Sequence, residues 1–195
     1  MTKTNPTTTH QADHPLPYRI ATLVYVFNHQ RQTLLLHRLR PPNQGLYSPI
    51  GGKLEQALGE SPYACALREI HEEIGIDLKL PDIRLIGMVS EKGYEGKTHW
   101  LMFCFEIIKP VQVVSQEIPE GRLEWVDLEK INTLPIPETD RSIIWPLVCR
   151  HSVMLQRQAG QTPEVFSVHI DCTNSKQIAA VIEHEGTGYS RQATD

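Results

Sequence analysis

The chain has 195 residues and a formal charge of −4, enough for one domain with extensions and a sizeable core. With this mild acidity, no basic surface of the kind that binds a nucleic-acid polymer is expected. Its longest apolar run, Ile20 to Phe27, is too short to cross a bilayer.

No apolar leader follows Met1, and Cys65, Cys104, Cys149 and Cys172 are spread without a C-x-x-C pair. The expectation is a cytoplasmic protein with buried, reduced cysteines, and no disulfide framework or zinc knuckle. Residues 1–17 are polar, with little to bury, and read as a disordered tail. Residues 18–160 read as the domain, and residues 161–195 as a strand–helix extension that packs on it or makes a homodimer contact.

Tyr18 to Phe27 is β-branched and aromatic and predicts a buried strand, with Gln32 to Arg38 as its hairpin partner across a polar turn. A loop follows that opens with Arg38 and Arg40, either of which can fork onto phosphate oxygens. Leu46 to Ile50 form a short strand into the Gly51-Gly52 turn.

Beyond the glycines, Ser61 reads as a helix N-cap, Pro62 as the first helical residue and Gly75 as the stop. On that helix Glu69, Glu72 and Glu73 stand at i, i+3 and i+4 and share a face, with Tyr63, Ala66, Leu67, Ile70 and Ile74 opposite. Like charges at this spacing cost about 0.2–0.5 kcal/mol per pair, and they stand near the helix end that disfavours anions. Only Arg68 offsets them locally. A hard divalent cation turns the cluster into a set of oxygen ligands; the plain alternative is a solvated charged face.

Ile83 to Glu91 and His99 to Ile108 predict two further strands, joined by a charged loop from Glu91 to Lys97 that contains Tyr94 and Glu95. Gln116 to Trp125 carries Glu117, Glu120 and Glu124. A helix is expected from Glu138 to about Gln158, interrupted by Pro146. Glu164 to Ile170 predict a strand and Lys176 to Glu185 a helix. The order of elements implies an α+β domain with a mixed sheet and the acidic helix packed on it.

Glu60, Arg68, Glu69, Ile70, Glu72, Glu73, Gly75 and Ile76 together resemble the Nudix box, G-x5-E-x7-R-E-U-x-E-E-x-G-U with U a bulky aliphatic residue. Gly51-Gly52-Lys53-Leu54-Glu55 resembles the family's GGKxE entry. There are two departures: seven residues instead of five separate Gly52 from Glu60, and Ile50 stands where proline is common.

The resemblance implies an α/β/α sandwich with the box as loop–helix–loop, and Mg²⁺ (or Mn²⁺) as cofactor. The metal ligands would be Glu69, Glu72, Glu73 and the Gly51 carbonyl, with Glu120 or Glu117 from the acidic loop before Trp125. Arg68 would orient the carboxylates, Glu60 would accept from Arg68 or cap the helix, and Gly52 and Gly75 would be structural. The general base stays open between Glu69 and a loop residue, Glu91 or Glu95. Arg38, Arg40 and Lys53 would meet phosphate. The place of Tyr94 resembles that of a tyrosine in dinucleoside polyphosphate hydrolases.

The implied reaction is hydrolysis of a phosphoanhydride in a nucleoside diphosphate linked to another moiety. The leading substrates are nucleoside triphosphates, including oxidised ones, cleaved to monophosphate and pyrophosphate. Dinucleoside polyphosphates, ADP-ribose and RNA 5′ ends are alternatives. A catalytically silent nucleotide-binding module is the alternative of another class.

Overall fold

The computed structural model describes residues 15–41, 43–156, 163–174 and 177–186. Most of the tail expected over residues 1–17 lies outside the described residues, as does part of the extension expected over 161–195. Among the described residues no helix is long and apolar enough to cross a membrane.

Two sheets form the middle layer. The first joins Tyr18–Tyr25 (β1), Ile83–Tyr94 (β4), Thr98–Ile107 (β5), Phe166–Asp171 (β8) and Ala179–His184 (β9) in the order β1-β5-β4-β8-β9. The second joins Gln32–Arg38 (β2), Tyr47–Ser48 (β3), Glu117–Ile118 (β6) and Gly121–Asp127 (β7) in the order β3-β2-β7-β6. β1 runs parallel to β5, and β4 antiparallel to it, so the larger sheet is mixed.

The expected β1–β2 hairpin does not form. The chain turns at Asn28, whose Oδ1 accepts from Gln30 N and Gln32 N, and the strands then separate after a Phe27–Thr33 bridge. The cause is burial on both faces. In β2, Leu34 and Leu36 enter one core cluster and Leu35 the other, so β2 is an interior strand flanked by β3 and β7.

Helices cover both sides. Pro62–Ile74 (α1) buries Ala66, Ile70 and Ile74 against Val24, Leu34, Leu36 and Phe105. Ser61 Oγ accepts from Ala64 N at 3.2 Å and Gly75 closes the helix with φ 70°, as the caps predict. On the other side Trp145–His151 (α2) packs Trp145 and Val148 against Tyr25, Ile86 and Val89. The arrangement is an α/β/α sandwich.

The long helix expected from Glu138 is divided into three parts. Asp140–Ile144 is a widened π segment, α2 follows, and Val153–Gln156 (α3) begins after a break at Ser152. Pro146 has no N–H to return to the preceding turn, which accounts for the first irregularity. Fully buried Glu106 fixes the second: it accepts from Ser152 Oγ at 2.6 Å and Val153 N at 2.9 Å.

Two further expectations are corrected. β4 continues to Tyr94, so Glu91 is a strand residue and not part of a loop. Lys176 to Glu185 contains a strand, β9, and not a helix. Its side chains are exposed along its whole length, and the Ile178, Val181 and Ile182 spacing that suits a helix is overridden by ladder bonds to β8.

β8 reaches β4 over Gly87. A Cβ there would lie 2.2 Å from the Phe166 ring, and Phe166 is fully buried. Gly87→Ala should therefore cost about 1–3 kcal/mol by overpacking, read as a lower urea midpoint. Adding Phe166→Leu to the same chain should recover part of the loss; no recovery would contradict this packing.

Candidate active site

The site begins with the way the glycine turn is held. Thr22 N donates to Gly52 O at 2.8 Å and Val24 N to Ile50 O at 2.8 Å, which pins the turn to β1. Gly51 has φ 126°, and a Cβ there would lie 2.3 Å from Thr22 O. Only glycine fits.

α1 presents two carboxylates to this turn. Glu73 is 6% exposed, and its Oε2 accepts from Gly51 N at 2.8 Å. Glu69 lies against the next residue: a Cβ on Gly52 would come within 2.3 Å of Glu69 Oε1. Acids one helical turn apart thus contact consecutive residues of the loop.

Arg68 organises the rest. Its Nε and Nη2 grip Glu60 at 2.9 and 3.0 Å, its Nη1 reaches Glu69 at 2.7 Å and Glu72 at 3.0 Å, and Nη2 donates to Lys53 O at 3.2 Å. Glu60 also accepts from Glu55 N at 2.8 Å. That bond closes the loop in which Gln56–Leu58 form a 3₁₀ turn with Leu58 78% exposed. The two additional residues therefore bulge into solvent, and Glu60 still meets Arg68.

A cavity of about 340 Å³ opens beside these groups. Arg38, Gly51, Gly52, Lys53, Glu69, Glu73 and Glu120 line it, as do Glu91, Tyr94, Trp100, Thr139 and Asp140. The carboxylates fall into two electrostatic groups. In the first, burial pushes Glu73 up to about 8; the Gly51 N–H opposes this, the Glu69 charge adds to it, Arg38 opposes it and Glu120 adds to it. Burial also raises Glu69, against the opposing pull of Arg68. In the second group, burial pushes Glu91 up to about 7, eased by a hydrogen bond with Thr139. Asp140 rises to about 8 through burial and the charge of Glu91.

The structure thus gathers Arg38, Gly51, Gly52, Lys53, Glu69, Glu73, Glu91, Tyr94 and Glu120 around one cavity. It leaves others outside. Glu72 is exposed and held by Arg68, and Arg40 and Glu117 are exposed and do not line the cavity. Glu95 is exposed on the β4–β5 turn, paired with Lys97 at 3.0 Å. Sequence reasoning missed Asp140, Thr139 and Asn43, whose Oδ1 accepts from Tyr94 OH at 3.3 Å. Asp140 follows Pro137 in what reads as the first turn of a helix, so nothing local links it to Glu91.

Among the described residues, no three carboxylate, imidazole or thiol groups form a ready-made cage for an ion; Arg68 engages Glu69 and Glu72 instead. The donor chemistry still fits a hard cation. The groups are all oxygen donors, and Glu73 is a buried carboxylate raised further by Glu69 and Glu120. A divalent ion relieves that repulsion.

Residues 17–146 match the family model described as the NUDIX domain. The chain is 31% identical over 107 residues to YvcI, an uncharacterized Nudix hydrolase of Bacillus subtilis strain 168, covering 54% of this chain and 66% of that protein. It thus spans just under two thirds of that relative's length. In fold it is similar to a mutator MutT protein of Bacillus halodurans, with TM-score 0.58, 24% identity and coverage of 85% of this chain and 97% of that one. It is also similar to the NUDIX domain of Shewanella oneidensis NrtR, solved with ADP ribose, with TM-score 0.55, 18% identity and coverage of 71% and 90%.

The acid pair makes stability depend on pH. Glu91 and Asp140 keep protons in the folded chain to about 7 and about 8, whereas carboxyls of the unfolded chain lose theirs near about 4. Their contribution is therefore complete below the unfolded values and is lost as pH rises through the folded ones. Asp140→Asn removes one titrating group. In EDTA its melting temperature should exceed that of the wild type by a margin that is small near pH 4 and widens towards pH 8. A constant margin would contradict the assignment.

Proposed function

The chain belongs to the Nudix family, and from that premise we propose that it hydrolyses a phosphoanhydride bond in a nucleoside diphosphate linked to another moiety. Nucleoside triphosphates, oxidised ones included, are the leading substrates, cleaved to monophosphate and pyrophosphate. The observation that carries this reading is the contact of Glu69 and Glu73 with the Gly51-Gly52 turn, in a cavity that also holds Arg38 and Lys53.

Glu69, Glu73, Glu120 and the Gly51 carbonyl would hold Mg²⁺ (or Mn²⁺), with Glu72 joining through an outer-shell water. When bound, the cation supplies charge neutralisation on the phosphate oxygens and an acidified water. The chain's own residues do the positioning. Arg68 fixes the Glu69 and Glu72 carboxylates through a single Nη1. Arg38 and Lys53 bring positive charge to an otherwise acidic wall, so a polyphosphate can approach. Glu69 is our choice of proton acceptor, since it stands beside Glu73 at the turn. Glu91 belongs to the other electrostatic group, with Asp140 and Thr139, and faces the nucleoside in this reading.

A second reading, nucleotide binding without turnover, draws on one feature: Arg68 occupies two of the box carboxylates, and no cage for an ion is preformed among the described residues.

The test is a Mg²⁺-dependent hydrolysis panel of nucleoside triphosphates, oxidised dGTP, dinucleoside polyphosphates, ADP-ribose and nucleotide sugars. At least one should turn over saturably. Glu73→Gln should lower kcat by about 100-fold or more and leave the circular-dichroism spectrum unchanged. Saturable binding across the panel with no turnover would favour the second reading.

A further inference from the structure

A second chamber of about 480 Å³ shares Tyr94 and Thr139 with the cavity beside the box and is bounded further by Glu95, Glu138, Cys172, Thr173 and Ile178. The last three come from the C-terminal segment, outside residues 17–146 that match the family model.

That wall is firmly attached. Cys172 N donates to Lys92 O at 2.9 Å, which prolongs the β4–β8 ladder. Thr173 packs directly on Gly93, where a Cβ would lie 2.7 Å from Thr173 Cγ2. Asp171 Oδ1 accepts from Thr173 N at 2.9 Å and holds the turn. Tyr94 stands at the partition, with its hydroxyl donating to Asn43 Oδ1 at 3.3 Å.

The two chambers differ in chemistry. The first carries Arg38 and Lys53 near the box carboxylates. Among the described residues, the second is lined by no Lys or Arg. Glu95 and Glu138 stand at its rim, paired with Lys97 at 3.0 Å and Arg141 at 3.4 Å, and exposed pairs of this kind are weak. Thr139, Thr173 and Ile178 complete a surface that, among the described residues, offers phosphate no lining cation and suits a neutral or amine-bearing group. The first chamber already has the size of a small ligand site. Tyr94 and Thr139 line both chambers, so a nucleotide with its phosphates at the box and its base against these two residues would direct only the outer edge of the base towards the second chamber.

We propose that the second chamber is a substrate subsite for a neutral or amine-bearing group borne on the outer edge of the nucleobase. The chain therefore accepts base-substituted nucleotides that a closed pocket would reject, and the C-terminal segment sets this tolerance. The inference rests on the nucleotide reading above and adds a specificity that reading does not contain.

Two probe pairs test it: ATP with ATP carrying an aminohexyl group on its exocyclic amine, and UTP with UTP carrying an aminoallyl group on the ring. Both kcat/KM and equilibrium Kd are measured on the full chain. In at least one pair the substituted nucleotide should lie within about threefold of its parent or exceed it. Ile178→Trp, which fills the chamber, should weaken the substituted member by about tenfold or more and the parent by less than about twofold. Glu138→Lys, at an exposed position, carries the test if Ile178→Trp fails to fold. It should weaken the amine-bearing probe by about threefold or more and leave the parent unchanged.

A parent that is bound or turned over while its substituted partner is about 100-fold poorer in both pairs overturns the subsite alone. Equal losses on parent and probe in the folded variants also overturn it. Failure of both parents to bind or turn over overturns the nucleotide reading and the subsite with it.

Discussion

The contact between the α1 carboxylates and the glycine turn is the constraint from which the rest of the site follows. Glu73 is buried, and its Oε2 accepts from the backbone N–H of Gly51. Burial of a carboxylate on these terms is costly, and burial pushes its pKa up to about 8. The arrangement persists because neither partner can retreat. Gly51 is pressed against the Thr22 carbonyl, and Gly52 against Glu69. α1 is fixed by its caps and by the apolar cluster beneath Ala66 and Ile70. A buried acid of raised pKa held by rigid elements is common at functional sites.

Arg68 distributes this constraint outwards. One guanidinium meets Glu60, Glu69, Glu72 and the Lys53 carbonyl. Its fork geometry allows the bidentate grip on Glu60, which a lysine ammonium cannot reproduce. Because Glu60 also ties back to Glu55 N, the loop between Gly52 and Glu60 is closed at its base. Its length is then free to vary, and the longer loop of this chain leaves the carboxylate set in place.

The cavity joins two kinds of electrostatics on one surface. At the box, acids are balanced by Arg38 and Lys53; across from it, Glu91 and Asp140 share a low-dielectric wall, where burial raises both and the charge of Glu91 raises Asp140 further. β4, which carries Glu91, pairs with β8 and through it with β9, so the C-terminal segment belongs to the same sheet as β1, which holds the glycine turn. Gly87 and Gly93 allow this by letting Phe166 and Thr173 approach the β4 backbone.

The amino-acid sequence by itself determined α1 and its acids: the caps at Ser61 and Gly75, the i, i+3, i+4 spacing of Glu69, Glu72 and Glu73, and the nearness of Arg68 to Glu72 one turn on. These depend on residues within a few turns of each other, where helix geometry is nearly invariant. The sequence also placed Glu73 on the same acidic face as Glu72, but only the tertiary structure separated a buried ligand-like carboxylate from an exposed one, because the glycine turn that covers Glu73 arrives from elsewhere. The same holds for β1 and β2, which read as a hairpin until burial on both faces sent them to different sheets. It holds for β9, whose conformation is decided by its ladder with β8. The meeting of Glu91 with Asp140, and of Tyr94 with Asn43, has no local signature. Such pairings are set by strand order and layer packing, which sum weak contacts over the whole chain and leave no period in the sequence to read.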